Sequence, residues 1–254
     1  MRKFFRFALV ALAAVALIPA AVMAKPLING IDANYPPFAY VDKAGNPAGF
    51  DVDAMNWIAK KMGFEVKHQP MDWDGIIPAL LAKKIDMVCS GMSISPERTK
   101  VVTFTEPYWS VQKVFIVKKD SKLTVKDICS NQKNIGVQRG TNEHEILEKI
   151  LKEGGSLPGV SVFNYKLRFY DSSPLAIQDL MNGRIDAVGL DSAPAQDAIR
   201  KGAQVQIVGE FAPADVFGVA TRNDDKELRA KLNEGFKLLK ADPYWNELQK
   251  KHMN

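Results

Sequence analysis

The stretch "SGMSISPER", residues 90–98, gathers Ser90, Gly91, Ser93 and Arg98 within nine positions. Ser95 has the side chain of an N-cap and Pro96 suits a first helical position, so a helix is expected to start here. Arg98 then falls in its first turn, where the helix dipole disfavours a cation. Upstream, "IDMVC" reads as a buried strand, which puts Ser90, Gly91 and Ser93 on the turn leaving its C-terminal end. A lone arginine is ordinarily a solvated surface charge. Hydroxyls, bare backbone and a guanidinium at the top of a strand are also the parts of an anion site. The two readings stay open on these residues alone. The sequence carries no P-loop, G-x-G-x-x-G, G-x-S-x-G or H-E-x-x-H. His68, His144 and His252 are scattered, without cysteine or paired carboxylates at ligand spacing, so no metal and no cofactor are expected.

Residues 1–24 read as an export signal rather than as part of a fold. Arg2, Lys3 and Arg6 precede the apolar run "ALVALAAVALIPAAV", and "VMA" supplies small residues for cleavage after Ala24. No cysteine lies near that cut, so an exported, periplasmic protein without a lipid anchor is expected. The whole chain has 34 basic and 29 acidic residues, and three of the basic ones belong to the leader. The remaining excess is only two, and no polybasic patch marks a nucleic-acid surface. Cys89 and Cys129 would meet an oxidising compartment. Cys89 ends an apolar strand and Cys129 reads as a loop residue of a different lobe, so two free thiols are expected.

From Lys25 onward, strand-like and helix-like segments alternate. "PLINGID", "FEVKHQPM" and "IDMVCS" read as strands, and "GFDVDAMNWIAKKMG" and "DGIIPALLAKK" as helices between them. After the extended run "SVQKVFIVKKD" the alternation resumes, then reaches a second extended run, "DVFGVATRND", and two closing helices. Such alternation implies crossover units and mostly parallel sheets covered on both faces. The halves also echo each other. "ALLAKKIDMV" (79–88) and "DLMNGRIDAV" (179–188) align without gaps, matching at Leu80/Leu180, Ile85/Ile185, Asp86/Asp186 and Val88/Val188. Ser90-Gly91 and Leu190-Asp191 then stand at the exits of equivalent strands, the ends at which open α/β sheets bind ligands.

The segments "GIDANYPPFAY", "GFDVDAMNWIAKKMG", "MDWDGIIPALLAKKIDMVCSGMSISPERTKVVTFTEPYW", "VQRGTNEH" and "GRIDAVGLD" together resemble the polar amino-acid-binding proteins of ABC importers, the family-3 extracellular solute-binding proteins. The resemblance runs over residues 27–250. It implies the fold of type II periplasmic binding proteins, two α/β lobes joined by two extended hinge strands that close on a ligand. Residues 25–109 and 218–254 would form lobe 1 and residues 110–217 lobe 2, with hinges near Trp109–Lys113 and Asp215–Val219. The implied partners are a free amino acid and the importer's permease, and the implied state is a monomer.

Residue roles carry over position by position. Arg98 matches the carboxylate-binding arginine, with Ser93 and Gly91 beside it, and Thr141 and Asn142 match residues reaching the same carboxylate. A plain N-cap is the ordinary reading of Thr141. Asp191 matches the acceptor of the α-ammonium, helped by Gly91 and Ser93; an N-cap is its ordinary reading also. Tyr35 and Trp73 match aromatics that sandwich the ligand side chain. Asp32 matches an acidic position that takes N–H donors from the side chain of basic or amide ligands. Ser90 and Gln138 would add polar contacts and Leu190 an apolar wall. A basic amino acid is therefore expected first and glutamine second. The same fold also hosts secreted cyclohexadienyl dehydratases, which need a general acid in the cleft; the amino-acid clamp favours a binding protein over an enzyme.

Overall fold

The protein is described by a computed structural model over residues 25–253, so the expected leader, residues 1–24, lies outside the described residues. The chain enters through β1 (Leu27–Asp32), β2 (Asn34–Tyr35), β3 (Ala39–Val41) and β4 (Pro47–Ala48). Then come α1 (Phe50–Met62), β5 (Val66–Met71), α2 (Ile76–Leu81), β6 (Met87–Val88) and β7 (Thr103–Phe104). The long β8 (Trp109–Lys118) leads into α3 (Val125–Ser130), β9 (Lys133–Gln138), α4 (Asn142–Glu153) and β10 (Tyr165–Tyr170). The second half continues with α5 (Ser173–Met181), β11 (Ala187–Asp191), α6 (Ser192–Arg200) and β12 (Val205–Phe217). Then β13 (Ala220–Thr221), α7 (Lys226–Ala241) and α8 (Tyr244–Met253) close the chain.

Two five-stranded sheets result, each the centre of an α/β lobe. Their strand orders are β5-β1-β6-β13-β7 and β10-β9-β11-β8-β12, and β2-β3-β4 form a small third sheet. Each large sheet has a parallel half, β5-β1-β6 in one and β10-β9-β11 in the other. β13 and β8 each run antiparallel to both of their neighbours, so β7 and β12 point the same way as the parallel strands. Four strands of each sheet therefore share one direction, in keeping with the expectation of mostly parallel sheets, and one opposes them. The opposing strands, β8 and β13, follow β7 and β12 with no helix between, and a parallel neighbour needs such a crossover. "VQIVGE" and "DVF" also prove to be one strand, β12, interrupted by bulges against β8.

Apolar side chains cover both faces of each sheet, as half-buried amphipathic elements require. Phe50, Met55 and Ile58 of α1 pack with Phe217, Phe236 and Leu239 on one side of the first sheet. Ile76, Leu80 and Ile85 fill the other side. In the second lobe Ile116, Ile177, Leu180 and Leu190 form one layer, and Phe115, Ile135, Leu147 and Phe211 the opposite one. Each of these side chains contributes roughly 1.5–3 kcal/mol on burial. α1 is closed as its sequence suggests, by Gly63 in the left-handed region at φ 70°.

The internal repeat has a structural meaning. Asp86 accepts from the Ile28 N–H and Asp186 from the Asn134 N–H, each at 2.8 Å, pinning β1 and β9 to the strand that follows. Ile85 and Ile185 lie against Gly30 and Gly136, where a Cβ would come within 2.4 and 2.6 Å of their methyl groups. The same Ile-Asp device thus builds the same strand exit in both lobes.

Two local expectations need correction. Residues 98–100 form a single 3₁₀ turn rather than the start of an α-helix, with Ser95 Oγ accepting from the Arg98 N–H at 3.3 Å. Cys129 sits in α3, not in a loop, because Thr124 and Asp127 make a reciprocal capping box that starts a helix there.

Candidate functional site

Every strand that supplies the site does so from its C-terminal end. Asp32 ends β1, Ser90 and Gly91 follow β6, Gln138 ends β9 and Asp191 ends β11. The two lobes turn these ends toward each other, as expected for ligand sites in open α/β sheets. Between them lies a cavity with about 260 Å³ of empty space. From the first lobe it is lined by Asp32, Tyr35, Trp73, Ser90, Gly91, Ser93 and Arg98. Gln138, Thr141, Asn142, Glu143 and Asp191 face them from the second.

Of the residues singled out from sequence, Leu190 alone is not brought to the cavity. It lies 2% exposed in the core of the second lobe. The reason is strand alternation: Asp191 turns to the cleft, so its neighbour turns into the layer beneath.

Arg98 is buried at one end of the cavity. Nη1 donates to the Ser93 carbonyl and Nη2 to the Gly140 carbonyl, both at 3.1 Å. Its guanidinium carbon lies 5.4 Å from the centre of the Trp73 ring, whose Nε1 donates to the same Gly140 carbonyl at 3.0 Å. Burial lowers its pKa, with Glu145 and Glu143 opposing. Among the described residues no carboxylate forms an ion pair with it, although a buried charge without a counterion costs several kcal/mol.

Gly91 sits beside this end at φ 59°, in the left-handed region. A Cβ there would lie 2.4 Å from the Tyr35 ring. Its N–H donates to Asp51 Oδ2 at 2.6 Å, and Tyr108 OH donates to that oxygen at 2.7 Å. Ser90 Oγ accepts from the Asp32 N–H at 2.9 Å, tying the two strand ends together.

At the other end, Asp191 precedes α6 but makes no side-chain cap. One carboxylate oxygen accepts from Tyr35 OH and the other from Lys113 Nζ at 2.7 Å. Thr141 does cap α4, its Oγ1 accepting from the His144 N–H at 3.3 Å, and it donates to the Gln138 carbonyl at 2.8 Å. Asn142 donates to Asp215 Oδ2 at 2.7 Å.

Two residues here were missed in the sequence. Lys113 is fully buried, with Nζ 2.7 Å from Glu143 and Asp191, 3.1 Å from Asp215 and 3.3 Å from Ser93 Oγ. Burial works against its charge, but Asp191, Glu143 and Asp215 outweigh it and hold the ammonium above the usual lysine range. The signal was present: Val111, Lys113, Phe115 and Val117 alternate along β8, so a lysine stands on an apolar stripe. Glu143 follows Asn142 in the first turn of α4, where the dipole suits a carboxylate. Burial raises the Glu143 carboxyl, but Lys113 and a hydrogen bond with Asp191 hold it low. Asp191 is raised by burial and by the Glu143 charge, against the pull of Lys113.

Among the described residues no cluster of histidine, cysteine and carboxylate side chains could hold a metal ion. No described helix is long and apolar enough to cross a membrane.

Known proteins share this architecture. ABC transporter arginine-binding protein 1 of Escherichia coli (strain K12) is 33% identical over 230 residues, covering 89% of each chain. An ancestral arginine-binding protein solved bound to arginine is 37% identical, with a TM-score of 0.80 over 91% of this chain and 100% of that one. The ancestral amino acid-binding protein AncCDT-1, described as a precursor of cyclohexadienyl dehydratase, is 34% identical, with a TM-score of 0.79 over 90% and 96% of the two chains. Residues 27–254 match the family model of the bacterial extracellular solute-binding proteins, family 3, and the chain belongs to that family.

Proposed function

We propose that the protein captures a free polar amino acid, a basic one such as arginine first and glutamine second, and delivers it to the permease of an ABC importer. One observation carries the reading. A buried guanidinium without an ion pair, Arg98, shares a cavity with buried carboxylates at Asp191, Glu143 and Asp32. An amino acid carries the complementary charges. Its α-carboxylate would lie against Arg98 and the backbone around Ser93 and Thr141, its α-ammonium against Asp191. Tyr35 and Trp73 would flank the side chain, whose N–H donors would meet Asp32.

β8 and β12 would act as hinges, since they run side by side from Ser110 and Val216 into the second sheet while their outer ends adjoin the first. The expected leader and the names of the relatives support an exported, periplasmic protein, which would work as a monomer. A thermal-shift screen of the common amino acids tests the ligand, because a ligand binding only the folded state raises Tm with its concentration. Arginine, lysine or histidine should give the largest shift. No shift with any amino acid would overturn the proposal.

A catalytic reading has one observation in its favour, the raised Asp191 carboxyl inside the cleft, which has the chemistry of a general acid. The complete clamp for a zwitterion favours binding. Turnover of prephenate or arogenate by the purified protein would decide for the enzyme.

A further inference from the structure

Asp191 and Glu143 line the cavity, but Lys113 does not; it lies behind them, fully buried on β8. Asp191 and Lys113 are direct cross-strand partners in the β11–β8 ladder, so their side chains leave the sheet on one face. Glu143 reaches the same ammonium from the first turn of α4, and Asp215 from β12. Two buried carboxylates brought this close repel each other and raise one carboxyl, here Asp191, and a cation between them lowers that cost. Lys113 is that cation.

We propose that Lys113 is a positioning residue that holds Glu143 and Asp191 side by side, from behind the cleft wall, as a two-carboxylate seat for the ammonium of the ligand. The inference rests on the amino-acid reading above and adds two residues to it. Three carboxylates surround one lysine, so the cluster keeps an excess of negative charge even with Lys113 in place. That excess suits a second ammonium on the cavity side. Lys113 also reaches Ser93 Oγ in the first lobe at 3.3 Å, so the seat is braced across the cleft.

The charged and titratable neighbours of the pair come from every element around it. Lys113 and Asp215 stand on β8 and β12, and Tyr35 donates to Asp191 from the first lobe. Arg98 acts on both carboxylates from its 3₁₀ turn, and Asp51 lies beyond Tyr35, whose own ionisation burial and these carboxylates suppress. Removing Lys113 takes away the only lysine bonded to the pair among the described residues. Asp191, already raised with Lys113 in place, then holds its proton more tightly, and a ligand ammonium has to displace it. The loss of affinity should therefore be large at neutral pH and shrink as the pH rises.

The test is calorimetry of arginine binding from about pH 5.5 to about pH 9, for wild type, Lys113→Met and Lys113→Arg. Glutamine, which carries the same α-ammonium, replaces arginine if the ligand screen ranks it higher. Lys113→Met should bind roughly tenfold or more weakly at neutral pH and recover most of that loss at the alkaline end. Lys113→Arg should stay within about threefold of wild type at every pH. A Lys113→Met protein with wild-type affinity, or with a deficit constant across pH, overturns the proposal. Should circular dichroism show that Lys113→Met does not fold, Glu143→Gln asks the same question with the lysine kept. It should weaken binding roughly tenfold, and unchanged affinity would overturn the two-carboxylate seat. Wild type that binds no amino acid overturns the ligand reading itself, and this proposal with it.

Discussion

Gln138 donates from Nε2 to Asp32 Oδ2 at 2.7 Å, from one lobe to the other across the cavity. The direction is fixed by a third residue. Ser173 donates to Gln138 Oε1 from its N–H at 3.2 Å and its hydroxyl at 3.0 Å, leaving only the amide NH₂ to face Asp32. Asp32 also accepts from the Asn34 N–H at 2.8 Å. Burial raises its carboxyl, and these two donors pull it partly back.

This wiring makes Asp32 an acceptor for further N–H groups, and predicts how it selects a ligand. Asp32→Asn should weaken arginine binding about ten- to a hundredfold, or about 1.4–2.8 kcal/mol. Glutamine should suffer less, because it brings no full charge to lose. Aspartate and glutamate should bind wild type poorly or not at all, since buried like charges cost several kcal/mol. Competition calorimetry with these four amino acids measures the order. Glutamate as the tightest ligand would refute this account of the pocket while leaving the clamp standing.

Arg98 bears the opposite charge and should be less replaceable. Arg98→Ala should reduce amino-acid affinity at least about a hundredfold, because truncating a buried charged partner costs about 2–5 kcal/mol. Arg98→Lys should not restore it, since an ammonium cannot offer the planar fork that meets a carboxylate at two points. The side chain bonds to two carbonyls rather than to a helix or core layer, so circular dichroism should be unchanged. Affinity within about threefold of wild type would sink the assignment.

How far these residues could be read from sequence depended on whether the signal was local. The strand–helix alternation and the repeated Ile-Asp pair foretold both sheet edges, because each uses a short device with a fixed spacing. Arg98 stood out because it breaks the charge rule for the helix start that Ser95 and Pro96 suggest, although only a 3₁₀ turn forms there. Lys113 did not: a lysine on an apolar strand becomes intelligible only when β11, α4 and β12 bring Asp191, Glu143 and Asp215 to it from far along the chain. Glu143 was hidden differently, as an ordinary first-turn carboxylate whose burial is a tertiary fact. Leu190 was misjudged because a strand end was assigned to the cleft as a pair of residues, although alternation sends only one of two neighbours there.

Both cysteines are free and buried, Cys89 beneath the first lobe's cleft edge and Cys129 in α3 of the second. Burial raises both thiols, Cys129 to about 11, which suppresses the reactive thiolate. Protein exported through the oxidising compartment should therefore carry two reduced thiols. Alkylation without reductant, followed by mass spectrometry, should modify neither in the native state and both after denaturation. An intramolecular bridge would contradict the separation of the two sites.

Asp51 predicts a pH dependence of stability. It is fully buried on α1, and its Oδ2 accepts from the Gly91 N–H and Tyr108 OH. Oδ1 has no hydrogen-bond partner among the described residues. Burial pushes the carboxyl up to about 7, against the pull of those two donors. An unfolded aspartate ionises near pH 3.9. Between those values the folded protein holds a proton that the unfolded chain has released, so stability falls as pH rises through the interval and levels off above it. The slope is about 1.4 kcal/mol per pH unit for one such group. Asp51→Asn removes it while keeping an acceptor for Gly91. The Tm of wild type should therefore fall relative to the variant by several degrees between about pH 5 and about pH 7, at about 2–4 °C per kcal/mol for a chain of this size. Because other titrating groups are common to both proteins, only the difference between the two melting curves counts. A difference that stays constant across that range would mean that Asp51 ionises like a surface carboxylate and that the Gly91 turn rests on an anion throughout.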